Sequence, residues 1–132
     1  MRFISVLILL ALGCAVPAQA GEWSTSFGTM TLPDTSGELR IFAPYDYDNG
    51  RIIGQMQLGA AGPVIFGTWV ESNSAVTCDE SFDGSMHWGA VQLNFDADFT
   101  AFSGEWDYCG SGDPAGAWEG KLGISRMLLL FR

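Results

Sequence analysis

In Ile65-Phe66-Gly67-Thr68-Trp69 and again in Phe102-Ser103-Gly104-Glu105-Trp106, a glycine stands two residues before a tryptophan and an apolar residue two before the glycine. A spacing of two is the period of a β-strand, whose successive side chains point to opposite faces. Phe102, Gly104, Trp106 and Tyr108 therefore share one face, and Ser103, Glu105, Asp107 and Cys109 share the other. Ile65, Gly67 and Trp69 form the matching face upstream. Glycine in such a row leaves a place across which a neighbouring aromatic ring lies, and it lets the strand bend as a barrel corner requires.

The same period runs through the rest of the chain. Gly28, Met30 and Leu32 alternate with Thr29 and Thr31, and Leu39 and Ile41 flank Arg40. Asn49-Gly50, a strong hairpin signal, precedes the strand-like run 49–58, and 63–72 follows. In 85–95, Val91, Leu93 and Phe95 occupy one face and Trp88, Ala90, Gln92 and Asn94 the other. Segments 99–109 and 117–124 complete seven strands, and the tail 125–132 is an eighth candidate. No stretch after residue 20 has the i, i+3, i+4, i+7 spacing of a helix. The expectation is an all-β fold: a single antiparallel up-and-down meander of about eight strands, barrel-like, with a two-sheet β-sandwich as the alternative.

The ends and the cysteines bear on location. Arg2, the apolar run from Phe3 to Leu12 and the small-x-small site Ala18-Gln19-Ala20 read as a secretory signal peptide spanning 1–20. Residues 21–132 are then the single folded domain. Leu12-Gly13-Cys14 partly resembles a lipoprotein signal, although Ala11 stands where that pattern has leucine. Membrane attachment is expected only if Cys14 carries lipid. Otherwise the chain is periplasmic or secreted after cleavage near Ala20. Cys78 and Cys109 are the cysteines that remain, and in an oxidising compartment a pair forms a disulfide by default. The formal net charge of −9 becomes more negative once Arg2 is removed. Nucleic acid and anionic lipid are therefore not expected as partners.

Few residues offer chemistry. The single histidine, His87, reads as an outward strand residue, and there is no G-x-S-x-G motif for a serine nucleophile. Glu71, Glu105 and Asp107 supply carboxylates beside both Gly-x-Trp strands, but Glu105 lies opposite Trp106 on the solvent side. Asp46, Asp48 and Asn49 resemble the start of a calcium loop without the downstream glutamate of an EF-hand, and hairpin turns use the same residues for backbone reasons. No cofactor is expected.

A longer pattern is also present: Trp23 with Gly28-Thr29-Met30-Thr31-Leu32, then Gly67-Thr68-Trp69-Val70-Glu71, Phe102-Ser103-Gly104-Glu105-Trp106 and Trp118-Glu119-Gly120-Lys121. It resembles small secreted bacterial β proteins with G-T-W, F-x-G-x-W and W-x-G strands, a likeness that implies fold and export and no particular activity. Leu122 stands where their closing arginine would be. A second likeness is to the avidin–streptavidin barrels, carried by Gly21-Glu22-Trp23 through Thr31 and by Phe99-Thr100-Ala101-Phe102-Ser103-Gly104. It implies a ligand-holding barrel with Trp88 and Trp106 as wall residues. Pro44 to Ile53 does not match the polar biotin contacts of those proteins, and the W-x-x-x-x-x-G ending is absent.

The reading is a non-enzymatic binding or interaction protein whose partner is an unknown protein or small molecule. One form is an interaction module working through its acidic face. Another is a carrier of a small apolar or aromatic ligand, with Trp69, Trp88, Trp106 and Trp118 as the candidate wall. A small carboxylate-dependent hydrolase is the third.

Overall fold

A computed structural model of the chain describes residues 21–33 and 40–123. The strand-period alternation gives eight antiparallel strands among these residues. They are β1 (Gly21–Thr25), β2 (Gly28–Leu32), β3 (Arg40–Tyr45), β4 (Gly50–Leu58), β5 (Pro63–Glu71), β6 (His87–Phe95), β7 (Ala101–Trp106) and β8 (Gly116–Leu122). Each pairs with the next, and β8 returns to β1 through Trp23↔Leu122, Ser24↔Lys121 and Thr25↔Gly120, closing a barrel. Closure leaves no free edge and replaces the sandwich alternative. No helix among the described residues is long and apolar enough to cross a membrane.

Eight strands were expected, but they are not the eight expected. The first is Gly21–Thr25, which the alternation did not mark out. The tail 125–132, the signal-peptide segment 1–20 with Cys14, and Leu39 lie outside the described residues. β1 turns into β2 through Ser26 and Phe27: Thr25 Oγ1 accepts from Phe27 N and donates to Gly28 O, with Gly28 at φ +87°. The Asn49-Gly50 signal is realised between β3 and β4, where Asp48 and Asn49 adopt left-handed φ values of 48° and 54°.

Inward positions make one core of Trp23, Met30, Leu32, Ile41, Ala43, Tyr45, Ile52, Ile65, Trp69, Val91, Leu93, Phe95, Phe102 and Trp118. Cross-strand glycines make room for the largest rings. Phe102 lies over Gly120, Trp106 over Gly116 and Tyr45 over Gly50, each pair being register partners. A Cβ on any of the three would fall within 2.1–3.0 Å of the ring. Gly67 and Gly104, two residues before Trp69 and Trp106, do something else. At Gly104 and Gly67 the nearest atoms are backbone of the adjoining strand, Gln92 O and Ile53 O, so these are sites of curvature and not ring seats.

The two ends of the barrel differ. At the end where β6 runs into β7, Trp23, Phe95, Phe99 and Phe102 pack with ring centroids 4.6–5.6 Å apart and fill the interior. The other end carries the turn after β1, the Asp46–Asn49 turn, and the long connections Ser72–Met86 and Asp107–Ala115. The Cys78–Cys109 disulfide joins these two long loops, with the Cα atoms 5.6 Å apart. This is the pairing expected from the sequence.

Candidate functional site

The open end holds a cavity of about 260 Å³ lined by Phe27, Tyr47, Trp69, Glu71, Ser74, Ala75, Trp106, Tyr108 and Trp118. That volume is just under the ~300–1,000 Å³ typical of sites for drug-sized ligands, so it suits a compact molecule. Its walls come from alternating positions near the strand ends. Trp69 and Glu71 are i, i+2 on β5, Trp106 ends β7, and Trp118 lies on β8 opposite Gly104.

The aromatic geometry is specific. Trp69, Trp106 and Tyr108 are mutually near-perpendicular, with interplanar angles of 87°, 76° and 89° and centroids 5.1–6.0 Å apart. Phe27 packs edge-on against both Trp106 and Trp118. Trp69 is fixed by donation from Nε1 to Asp107 O at 2.9 Å. Asp107 in turn shapes the loop after β7, its carboxylate accepting from the backbone N–H of Ala90, Gly110 and Gly112 at 2.8–3.0 Å. By contrast, Trp106 Nε1 and Trp118 Nε1 are both buried and have no hydrogen-bond partner.

One ionisable group stands in this wall. Glu71 is 7% exposed, and its Oε2 accepts from Tyr45 Oη at 2.7 Å. Burial pushes its carboxyl up to about 7; the Tyr45 hydrogen bond opposes the shift and the negative charge of Asp48 adds to it. Burial, with the bond to Glu71, also raises the Tyr45 phenol far above its ordinary range, so Tyr45 remains a donor.

A stability consequence follows with a definite sign. Glu71 takes up its proton more readily folded than unfolded, so its contribution is fully present below about pH 4.5 and is lost as pH rises through about 7. Between pH 5 and pH 8 the protein is expected to lose on the order of 2 kcal/mol that Glu71→Gln does not lose, roughly 10 °C in midpoint. Thermal unfolding of both proteins across that range checks it, and parallel curves would contradict it. Asp96 acts the opposite way in a lower window. Hydrogen bonds from Thr100 and Ala101 hold its carboxyl below the ordinary value, and that stability is lost on stronger acidification.

Of the four tryptophans expected to form a wall, Trp69, Trp106 and Trp118 come together and Trp88 does not. Trp88 occupies the outer parity of β6, opposite to Val91, Leu93 and Phe95. Its Nε1 donates to Glu80 O and its ring packs on Phe82, so it braces the loop that carries Cys78. His87, read as outward, has the inward parity of Gly89 and is the register partner of Glu71. Half-buried at the mouth, it places Nδ1 3.0 Å from Ser74 Oγ. Ser74 Oγ also lies 2.7 Å from its backbone acceptor Val76 O, which competes for the hydroxyl proton.

The carboxylates also separate. Asp107, read as solvent-facing, is buried as the knot of its loop, because β7 ends at Trp106 and the alternation stops there. Of the calcium candidates, Asp46 accepts from Thr29 N through Oδ2, and the carbonyl of Asp48 receives Ser72 N and Oγ. With Asn49 they build a turn, and no group of three or more His, Cys, Asp or Glu suited to a metal ion occurs among the described residues. Sequence reasoning missed Tyr45, Phe27 and Tyr47 as parts of the site. It weighed Glu71 only as a hydrolytic carboxylate, although its i+2 spacing from Trp69 already put it on the inner face.

No protein-family model matches the chain, and no curated protein or solved structure is significantly similar to it.

Proposed function

We propose that this protein is an exported, non-catalytic binding protein that holds a compact ligand, apolar or aromatic in body, in the open end of its barrel. The observation that carries the reading is the aromatic wall of the cavity, to which Trp69, Trp106, Tyr108 and Trp118 contribute and in which Trp106 Nε1 and Trp118 Nε1 are buried without a partner. An unmet buried donor costs about 1–3 kcal/mol, and native folds rarely leave one without a reason. A ligand bearing an acceptor supplies the missing bond. The aromatic walls supply apolar contact, and the disulfide holds the two long mouth loops together. That disulfide also fits an oxidising location, periplasmic or extracellular.

The expected result is a saturable quench or blue shift of tryptophan emission with at least one of three compact probes: benzamide, choline and biotin. Trp106→Phe keeps an aromatic side chain and removes the indole donor, and it should weaken the binding about tenfold. Silence with all three probes would contradict the reading. It would favour the interaction module instead, for which Phe42 and Phe66 are exposed on the outer faces of β3 and β5.

A further inference from the structure

We infer that the ligand of this barrel mouth is a small organic ammonium ion, enclosed by Trp69, Trp106 and Tyr108 with the Glu71 carboxylate as its counter-ion. The inference rests on the proposed ligand site and adds the charge of its occupant. Three rings standing nearly at right angles to one another line the same cavity as Glu71. Ring faces attract cations through their quadrupole, most strongly for tryptophan and where water is excluded, and aromatic boxes are the usual receptors for alkylammonium groups. A neutral apolar ligand would need the rings but not the acid.

The acid is there, and among the described residues no lysine or arginine is paired with it. Glu71 is buried in the same wall, and Tyr45 is its hydrogen-bond donor. Among the described residues the single salt bridge is Arg51–Asp83, and no lysine or arginine lines the cavity. Buried carboxylates are ordinarily paired, so this one, inside an aromatic-lined cavity, calls for a positive ligand. An oxygen on that ligand, such as a hydroxyl, would receive the free N–H of Trp106 or Trp118.

The groups around Glu71 set the pH response. Tyr45 on β3 donates to it, and Asp48 in the following turn adds negative charge. Arg51 on β4 acts on Tyr45 while it bonds Asp83. His87 on β6 is the register partner of Glu71, and Tyr47 and Tyr108 share the lining. Since burial holds the Glu71 carboxyl near 7, the ionised fraction that accepts a cation collapses on acidification. Affinity should fall roughly tenfold or more between pH 8 and pH 5.

The test compares choline with 3,3-dimethylbutan-1-ol, its uncharged isostere, by calorimetry on the purified protein at pH 8. The expected result is at least tenfold tighter binding of choline. Glu71→Gln, which keeps the shape and the Tyr45 contact, should remove most of that preference. In the wild-type protein alone, choline binding should weaken on going to pH 5 while binding of the alcohol stays constant. Equal binding of the two compounds, or binding of neither, overturns the ammonium inference. If benzamide or biotin still saturates the tryptophan signal, the ligand site stands with a neutral occupant. If nothing does, both readings fall together.

Discussion

Gly104→Ala is expected to be among the most damaging single substitutions in this protein, although it adds one methyl group. A Cβ at that position falls 1.9 Å from Gln92 O and 2.9–3.0 Å from Gln92 C and Leu93 Cα. All three atoms belong to the backbone of β6, which is pinned in register from Val91↔Trp106 to Phe95↔Phe102. No rotamer change relieves the overlap. Overpacking ordinarily costs ~1–3 kcal/mol, and with paired backbone as the obstacle the expected loss is about 3 kcal/mol or more. A domain of this size would then melt more than ~10 °C lower. Gly112→Ala is the matched control, because Gly112 has φ +87° but nothing within 4 Å. Its backbone penalty alone is about 1–2 kcal/mol. Denaturant titration of the two variants should therefore separate them clearly. Equal losses would mean that the barrel does not depend on a close approach at Gly104.

Loss of the Cys78–Cys109 bridge should have an effect of similar size. The bond closes a loop with a sequence separation of 31, which by chain entropy stabilises the fold by about 3–4 kcal/mol. Its place makes the consequence local as well as global. Cys109 follows Tyr108, which lines the cavity, and Asp107, whose carbonyl anchors Trp69. Cys78 lies in the loop that supplies Ser74 and Ala75. The double variant Cys78→Ser, Cys109→Ser should unfold at clearly lower denaturant and bind its probe more weakly, through loosened loops and not through a lost contact. Identical midpoints for oxidised and reduced protein would contradict the assignment of the bridge as a main support of the mouth.

The strands that alternate cleanly were legible in the sequence, and so was the common side of three of their tryptophans. Trp69, Trp106 and Trp118 could be placed on inner faces because each sits at even spacing from other buried residues. Trp88 joined them on residue type and on its likeness to avidin walls, against its own parity, and the structure follows the parity. β1 escaped notice because five residues ending in a Ser26-Phe27 turn carry neither a long alternation nor a strong turn signal. Asp107 was misplaced because period-two reasoning holds only while the strand continues. The rest required the closed barrel. Tyr45 reaches Glu71 through a register that local sequence does not encode, and the backbone crowding at Gly104 and Gly67 arises only once neighbouring strands bend together.

The central claim is that the barrel mouth is a ligand site completed through two unpartnered indole donors, and the indole N–H signals of the protein read this directly. In a ¹H–¹⁵N spectrum, the Trp69 and Trp88 signals report N–H groups already bonded to Asp107 O and Glu80 O. Saturation with whichever of benzamide, choline or biotin changes the tryptophan emission should shift the Trp106 or Trp118 signal and slow its solvent exchange. Trp88, on the outside of the barrel, should not respond. A spectrum in which Trp88 shifts while Trp106 and Trp118 stay in place would put the ligand outside the barrel and contradict the account.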